Sequence, residues 1–316
     1  MREPMWLRFL RKQKGWNRNL PEDGGKFPEA ERFERERTAE TMRGKSVWNM
    51  LRELVSPILL YVLLTMILTG ILEMAVYPLA EPENAMWFLT LVNVFQIPVF
   101  LWIYRRQRIR EAVRAGEPLP EGAGFWKTGG SRAAWKKSFG PGDLLLAVLG
   151  GFFLARGFNG LIGLTPLPHL FSGYQSVTDA VYGGSLLSQV MASVVTAPVL
   201  EELLMRGLIY SRLRSLFSDV RPAVLAGALV FALFHGNVVQ GAYAFLIGLY
   251  FVWLYEAYHS LVLPVLAHAA ANASSVLLEQ TGWLDGLYAD LPLYFLTTAL
   301  CLGAGAFCWS RARKIR

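Results

Sequence analysis

Three apolar stretches of this chain carry side chains able to do acid–base chemistry. The first, Ala197 to Leu213, reads APVLEELLMRGLIYSRL and holds Glu201, Glu202 and Arg206 in an otherwise greasy run. The second, FALFHGN, contains His235, and the third, LAHAAANAS, carries His268 and Asn272 four residues apart. A charge at the centre of a membrane helix costs roughly 3 kcal/mol on insertion scales, so each needs a partner or a task. At about 100° per residue, Glu202 and Arg206 stand one turn apart on one face, acid first, and can neutralise each other. Glu201 projects about 100° from Glu202 and about 140° from Arg206. It is left with no local partner, and such a carboxylate either protonates or serves a site.

The residue types admit several chemistries. A desolvated carboxylate beside imidazoles can accept a proton from water. Imidazole and amide N–H groups can stabilise the oxyanion of a tetrahedral intermediate. His235 and His268 could instead bind Zn²⁺, with a carboxylate as third ligand or as base. Hydrolysis, proton-coupled transport (Glu73 and Arg156 are further intramembrane charges) and polar helix packing all stay open at this point. The two other histidines, His169 in a loop and His259 at a helix boundary, read as ordinary. Cys301 and Cys308, seven apart on one helical face, have neither zinc nor redox spacing and read as small interior residues.

The elements that must position these groups are membrane helices. The chain has 316 residues, is 53% hydrophobic and only 17% charged, with a mean hydropathy of +0.33, too greasy for an ordinary soluble domain. Eight apolar spans are expected, near residues 55–79, 86–104, 144–164, 186–210, 222–239, 241–257, 261–279 and 291–309. The fold class is therefore all-α, a polytopic membrane helix bundle. Counted at 1.5 Å per residue from the cytoplasmic helix ends expected near residue 211, Arg221 and Ser260, Glu201 lies about 15 Å deep, His235 about 20 Å, and His268 and Asn272 about 10 and 17 Å. They share one layer of the bilayer, so a common site is geometrically allowed. Gly150, Gly151, Gly160, Gly163, Gly303 and Gly305 fall in spans, where small residues let helices approach closely.

The basic residues orient the bundle. Of 31 Lys and Arg, 13 precede the first span, nine lie in 105–137, three at Arg212, Arg214 and Arg221, and four in the tail RARKIR. With eight spans all of these fall on one side, which places both termini in the cytoplasm; Arg156 and Arg206 are inside spans. The net charge of +7 follows from the same asymmetry, and no nucleic-acid motif accompanies it. Four segments result: a basic and polar arm (1–50) with disorder-like composition that could touch anionic lipid, two helices with a basic loop (51–142), a core (143–280, motifs in 197–272), and a last helix with a basic tail (281–316). The arm lacks the apolar core of a secretory signal near its start.

Taken together, Glu201-Glu202-Leu-Leu-Met-Arg206, Phe231-Ala-Leu-Phe-His235 and His268-Ala-Ala-Ala-Asn272 resemble the three motifs of the CPBP family of intramembrane proteases. That family includes the CAAX prenyl endopeptidases and the bacterial relatives formerly called Abi. All three occur in order on successive apolar helices. The resemblance covers about residues 184–280 and implies hydrolysis of a peptide bond in a membrane-associated peptide or protein, by a multi-pass protein of the cell membrane. By position it implies that Glu201 activates water with help from His235. It also implies that His268 and Asn272 bind the oxyanion or a metal, and that Glu202 and Arg206 orient the motif helix. The family is described both as zinc-dependent and as glutamate-dependent, and two histidines with one free carboxylate satisfy either scheme. The alternatives are a non-catalytic immunity or scaffold member of the family, and a proton-coupled transporter.

Overall fold

A computed structural model of the chain describes residues 47–75, 84–115, 139–171, 178–179, 181–217, 219–281 and 289–312. The basic arm before residue 47, most of the loop expected after residue 105, parts of the opposite loops and the extreme tail lie outside the described residues. Contacts divide the chain into two units, residues 1–56 and 57–316.

The described residues are mostly helical, and no strand occurs among them. The helices are α1 (Val47–Ala75), α2 (Ala85–Ala115), α3 (Pro141–Gly163), α4 (Leu186–Arg214), α5 (Val220–Phe234), α6 (Val238–Tyr258), α7 (Val262–Gln280) and α8 (Leu291–Arg311), with one turn of helix at Leu167–Leu170 between α3 and α4. Seven of them, all but α5, are long and apolar enough to cross a membrane. The chain is an all-α polytopic bundle. Its outer surface is apolar, with Met66, Met74 and Leu233 largely exposed, as expected where lipid tails are the solvent.

Seven of the eight expected spans have a full-length counterpart; the span expected at 222–239 does not. Helix α5 stops at Phe234, only 15 residues long, or about 22 Å at 1.5 Å per residue. The reason is local. Gly236 takes a left-handed φ of 64° that a side chain would resist, and the Asn237 carboxamide accepts from the Val239 and Gln240 N–H groups to cap α6. His-Gly-Asn is thus a helix stop followed at once by a helix start.

Helix α3 packs most extensively against α8 and α7, and glycine makes that approach feasible. A Cβ at Gly151 would stand 2.1 Å from the Ala267 carbonyl oxygen of α7, and one at Gly160 would stand 2.3 Å from Thr298 Oγ1 of α8. Gly150 against Tyr250 and Gly305 against Leu154 are equally close. Gly303 departs from the expected pattern, with nothing within 4 Å of its would-be Cβ. Polar side chains tie the remaining helices together. Gln96 Nε2 donates to Thr65 Oγ1 at 2.9 Å, and Asn93 Nδ2 donates to Thr196 Oγ1 at 3.1 Å. Arg156 donates to Ser275 Oγ at 3.2 Å; no ion pair joins it to Glu73. Cys301 and Cys308 are free thiols.

Candidate active site

Helix α4 carries the first motif on an uneven backbone. The α-helical piece Ala197–Glu202 is flanked by two π-helical pieces, Val190–Thr196 and Leu203–Tyr210. Wide π turns leave carbonyls without a regular helical donor and recur at functional sites. Side chains supply donors here: Asn272 Nδ2 reaches the Ser193 carbonyl at 2.8 Å, Thr196 Oγ1 the Ala192 carbonyl at 3.1 Å, and Ser211 Oγ the Gly207 carbonyl at 2.9 Å. Asn272 therefore joins α7 to the motif helix.

Glu202 and Arg206 form the pair that their spacing predicts. Arg206 Nη1 lies 2.8 Å from Glu202 Oε1, and both side chains are fully buried. The guanidinium also donates to the Gly248 carbonyl of α6 at 3.3 Å and lies over the rings of Phe231 and Phe251, 4.4 and 5.3 Å from their centroids. Such a desolvated cation is held by carboxylate, carbonyl and π faces together.

His268 adds a contact that spacing alone did not reveal. Its Nδ1 stands 2.9 Å from Glu202 Oε1, the same oxygen that accepts from Arg206. An ionised carboxylate can only accept, so Nδ1 carries the proton and Nε2 points away from Glu202. The ring is stacked on Phe251 at 4.9 Å and edge-on to Phe231 at 5.8 Å, which leaves it little freedom to rotate. Nε2 is 3.9 Å from Glu201 Oε2, beyond direct hydrogen bonding. That Glu201 oxygen has no hydrogen-bond partner, unlike most buried polar atoms.

His235 sits at the end of α5, in the turn rather than within a span. Its Nδ1 is 2.8 Å from the Phe231 carbonyl. A carbonyl accepts only, so Nδ1 is again the protonated nitrogen and a neutral His235 keeps its lone pair on Nε2.

One cavity of about 80 Å³ gathers these groups, lined by Glu201, His235, His268 and Asn272 together with Phe231, Tyr243, Ala244, Ile247 and Phe251. A single water needs only about 10–15 Å³ of such space, so the cavity has room for a nucleophile and its immediate neighbours. All four expected site residues meet there. With Glu202 and Arg206 buried behind His268, the set forms two tiers: polar groups facing the cavity, and an ion pair fixing one of them from the rear. Residues 183–274 match the family model described as Type II CAAX prenyl endopeptidase Rce1-like.

This stretch is similar to the CAAX protease family. The match supports a CAAX-protease-type endopeptidase embedded in a multi-pass membrane protein. No curated protein and no solved structure matches the chain.

The zinc alternative can be tested on the donors present. Among the described residues no group of three or more His, Cys, Asp or Glu stands where it could hold a metal ion. The two Nε2 atoms and Glu201 share the cavity without forming a ready-made coordination sphere.

Sequence reasoning missed the α6 wall of this CAAX-protease-like site. Tyr243, Ala244, Ile247 and Phe251 recur at helical spacing and face one cavity, yet α6 is apolar nearly all round, so periodicity could not mark that face. Tyr243 is the one hydroxyl on that wall.

Proposed function

We propose that this protein is an intramembrane endopeptidase of the cell membrane that hydrolyses a peptide bond in a membrane-associated peptide or protein, with both termini in the cytoplasm. The observation that carries this reading is the unpartnered Glu201 Oε2 at a cavity shared with two imidazoles and a carboxamide. A carboxylate oxygen without a donor, at a space large enough for water, is arranged to accept a proton.

The residues divide the work as follows. Glu201 takes a proton from water as its oxygen attacks the scissile carbonyl carbon. His235, with Nδ1 tied to the Phe231 carbonyl, presents Nε2 as an acceptor that orients the same water. Asn272 uses one amide N–H on the Ser193 carbonyl and keeps the other for the developing oxyanion. His268, braced through Nδ1 by Glu202, becomes a second oxyanion donor when Nε2 is protonated. The tetrahedral intermediate collapses as the proton held by Glu201 passes to the departing amine, so the sum is peptide plus water to acid plus amine. Arg206 pairs with Glu202 and holds it aimed at His268.

The deciding experiment reconstitutes the chain in lipid vesicles with a lipid-anchored peptide and reads fragments by mass spectrometry. Cleavage by the wild type that Glu201→Gln abolishes supports the assignment; cleavage that survives both Glu201→Gln and His235→Ala overturns it. A biological phenotype that persists in Glu201→Gln would favour a scaffold or immunity role.

A further inference from the structure

Arg156 belongs to none of the machinery above. It is the sixteenth residue of α3, so about 22 Å of helix precede it and about 10 Å follow it. Its side chain is half-buried, one guanidinium nitrogen donates to Ser275 Oγ at 3.2 Å, and its buried Nε has no partner. Among the described residues no carboxylate lies within ion-pair distance of it; Glu279, one turn beyond Ser275, is exposed and is not paired with it. A cation at this depth with no counter-charge among the described residues marks a candidate functional position.

Ser275, which holds Arg156, is on the helix that carries the site. It lies three residues past Asn272 and seven past His268 on α7. Seven residues are two turns less about 20°, so Ser275 shares the face of His268 at an axial distance of about 10 Å. The cavity reaches Asn272 on that helix, and Arg156 stands one turn further along.

We propose that Arg156 receives the terminal carboxylate of the substrate. This inference rests on the endopeptidase reading. A CAAX chain ends three residues beyond its lipid-bearing cysteine. At about 3.3 Å per extended residue, a bond beside that cysteine is about 10 Å from the terminal carboxylate. That matches the axial offset between His268 and Ser275. The charge argument runs the same way: a carboxylate drawn into the bilayer and a guanidinium already there each lack a counter-ion, and together they are neutral. Arg suits the task because its planar fork can hold Ser275 on one edge and a carboxylate on another. The competing anion of similar chemistry is a lipid phosphate reached from the near end of α3.

The test compares two S-farnesyl-cysteine peptides, each with three residues after the cysteine, one ending in a free carboxylate and the other in a carboxamide. Binding is measured to the full-length Glu201→Gln protein in nanodiscs, so no turnover is needed, and kcat/KM is measured on the wild type. The free acid is expected to bind at least tenfold tighter than the amide, and Arg156→Gln to reduce that ratio to near one by weakening the acid alone. Arg156→Lys should restore part of the preference, and unchanged thermal unfolding of both variants separates recognition from folding. Equal binding of acid and amide to the Glu201→Gln protein, or binding of neither, overturns the proposal. So does an acid preference that survives in Arg156→Gln, or one lost only when anionic lipid is replaced by neutral lipid, which would give Arg156 to a lipid phosphate. Cleavage of both peptides at equal rates by the wild type would sink this inference and leave the endopeptidase reading standing. Acid-selective binding with no cleavage by the wild type would do the reverse.

Discussion

His268 and Glu202 are bonded Nδ1 to Oε1 at 2.9 Å, across 66 residues of sequence, with both side chains buried. This contact changes the role of the ion pair. Glu202 and Arg206 orient their own helix and also fix the tautomer and rotation of an imidazole on α7, as carboxylates behind catalytic or metal-binding histidines do. The pair is structural in location and chemical in consequence.

Replacing Glu201 by Gln should lower turnover by a factor of about 10²–10⁴, the usual contribution of a positioned general base, with little change in folding. Its Oε2 makes no hydrogen bond whose loss would be felt. Single-turnover cleavage, read beside thermal unfolding in detergent, checks both halves of this expectation.

Arg206→Ala should be much more damaging to the fold. It strands Glu202 in a space with no access to water, and breaking one side of a buried pair costs about 3–5 kcal/mol. Unfolding midpoints of Arg206→Ala and Glu201→Ala measured in the same detergent decide the matter; equal midpoints would remove the stabilising role given to the pair.

Glu202→Gln separates orientation from charge. A carboxamide can still accept from His268 but no longer balances Arg206, so accumulation should fall and turnover with it. The double variant Glu202→Gln with Arg206→Met should recover accumulation while leaving kcat depressed, because His268 loses an ionised brace. Recovery of both would show that the charge behind His268 is immaterial to the reaction.

Chelation tests the metal question directly. Because no three donors converge among the described residues, 1,10-phenanthroline is expected to leave turnover within about twofold. Loss of activity that added Zn²⁺ restores would show His235 and His268 closing on an ion with Glu201.

Gly151 should be intolerant for a reason remote from chemistry. A methyl group there meets the Ala267 carbonyl at 2.1 Å, so Gly151→Val pushes on the residue before His268; overpacking costs about 1–3 kcal/mol. Gly303→Ala, placed in open space, is the control and should fall within about 0.5 kcal/mol of wild type. Comparable losses in the two variants would contradict the close approach of α3 and α7.

Much of this architecture could be read from residue order, and the residues themselves explain why. The Glu202–Arg206 pair follows from helical period alone, a local rule that burial does not overturn. Membrane helices are legible because hydrocarbon admits only helices and closed barrels, and a spanning helix needs about 20 apolar residues in a row. The early end of α5 was also written in Gly236 and Asn237, whose turn and capping preferences outrank a long apolar run. Other features depend on contacts between distant segments. The bond from Glu202 to His268 needs α4 and α7 to be neighbours, and so does the Asn272 bond to the Ser193 carbonyl. The π turns of α4 have no compositional signature, and the cavity wall of α6 is hidden because its other faces are equally apolar.

The shortness of α5 has a consequence for the reaction medium. A segment of about 22 Å cannot reach across a hydrocarbon slab of about 30 Å, so the reversal at His235-Gly236-Asn237 stops several Å short of the far boundary. Backbone amides at a bend of this kind are tolerated only where protein or water covers them. Local thinning of the lipid beside α5 is one way to meet this mismatch, and it would bring water close to His235, where the proposed hydrolysis needs it.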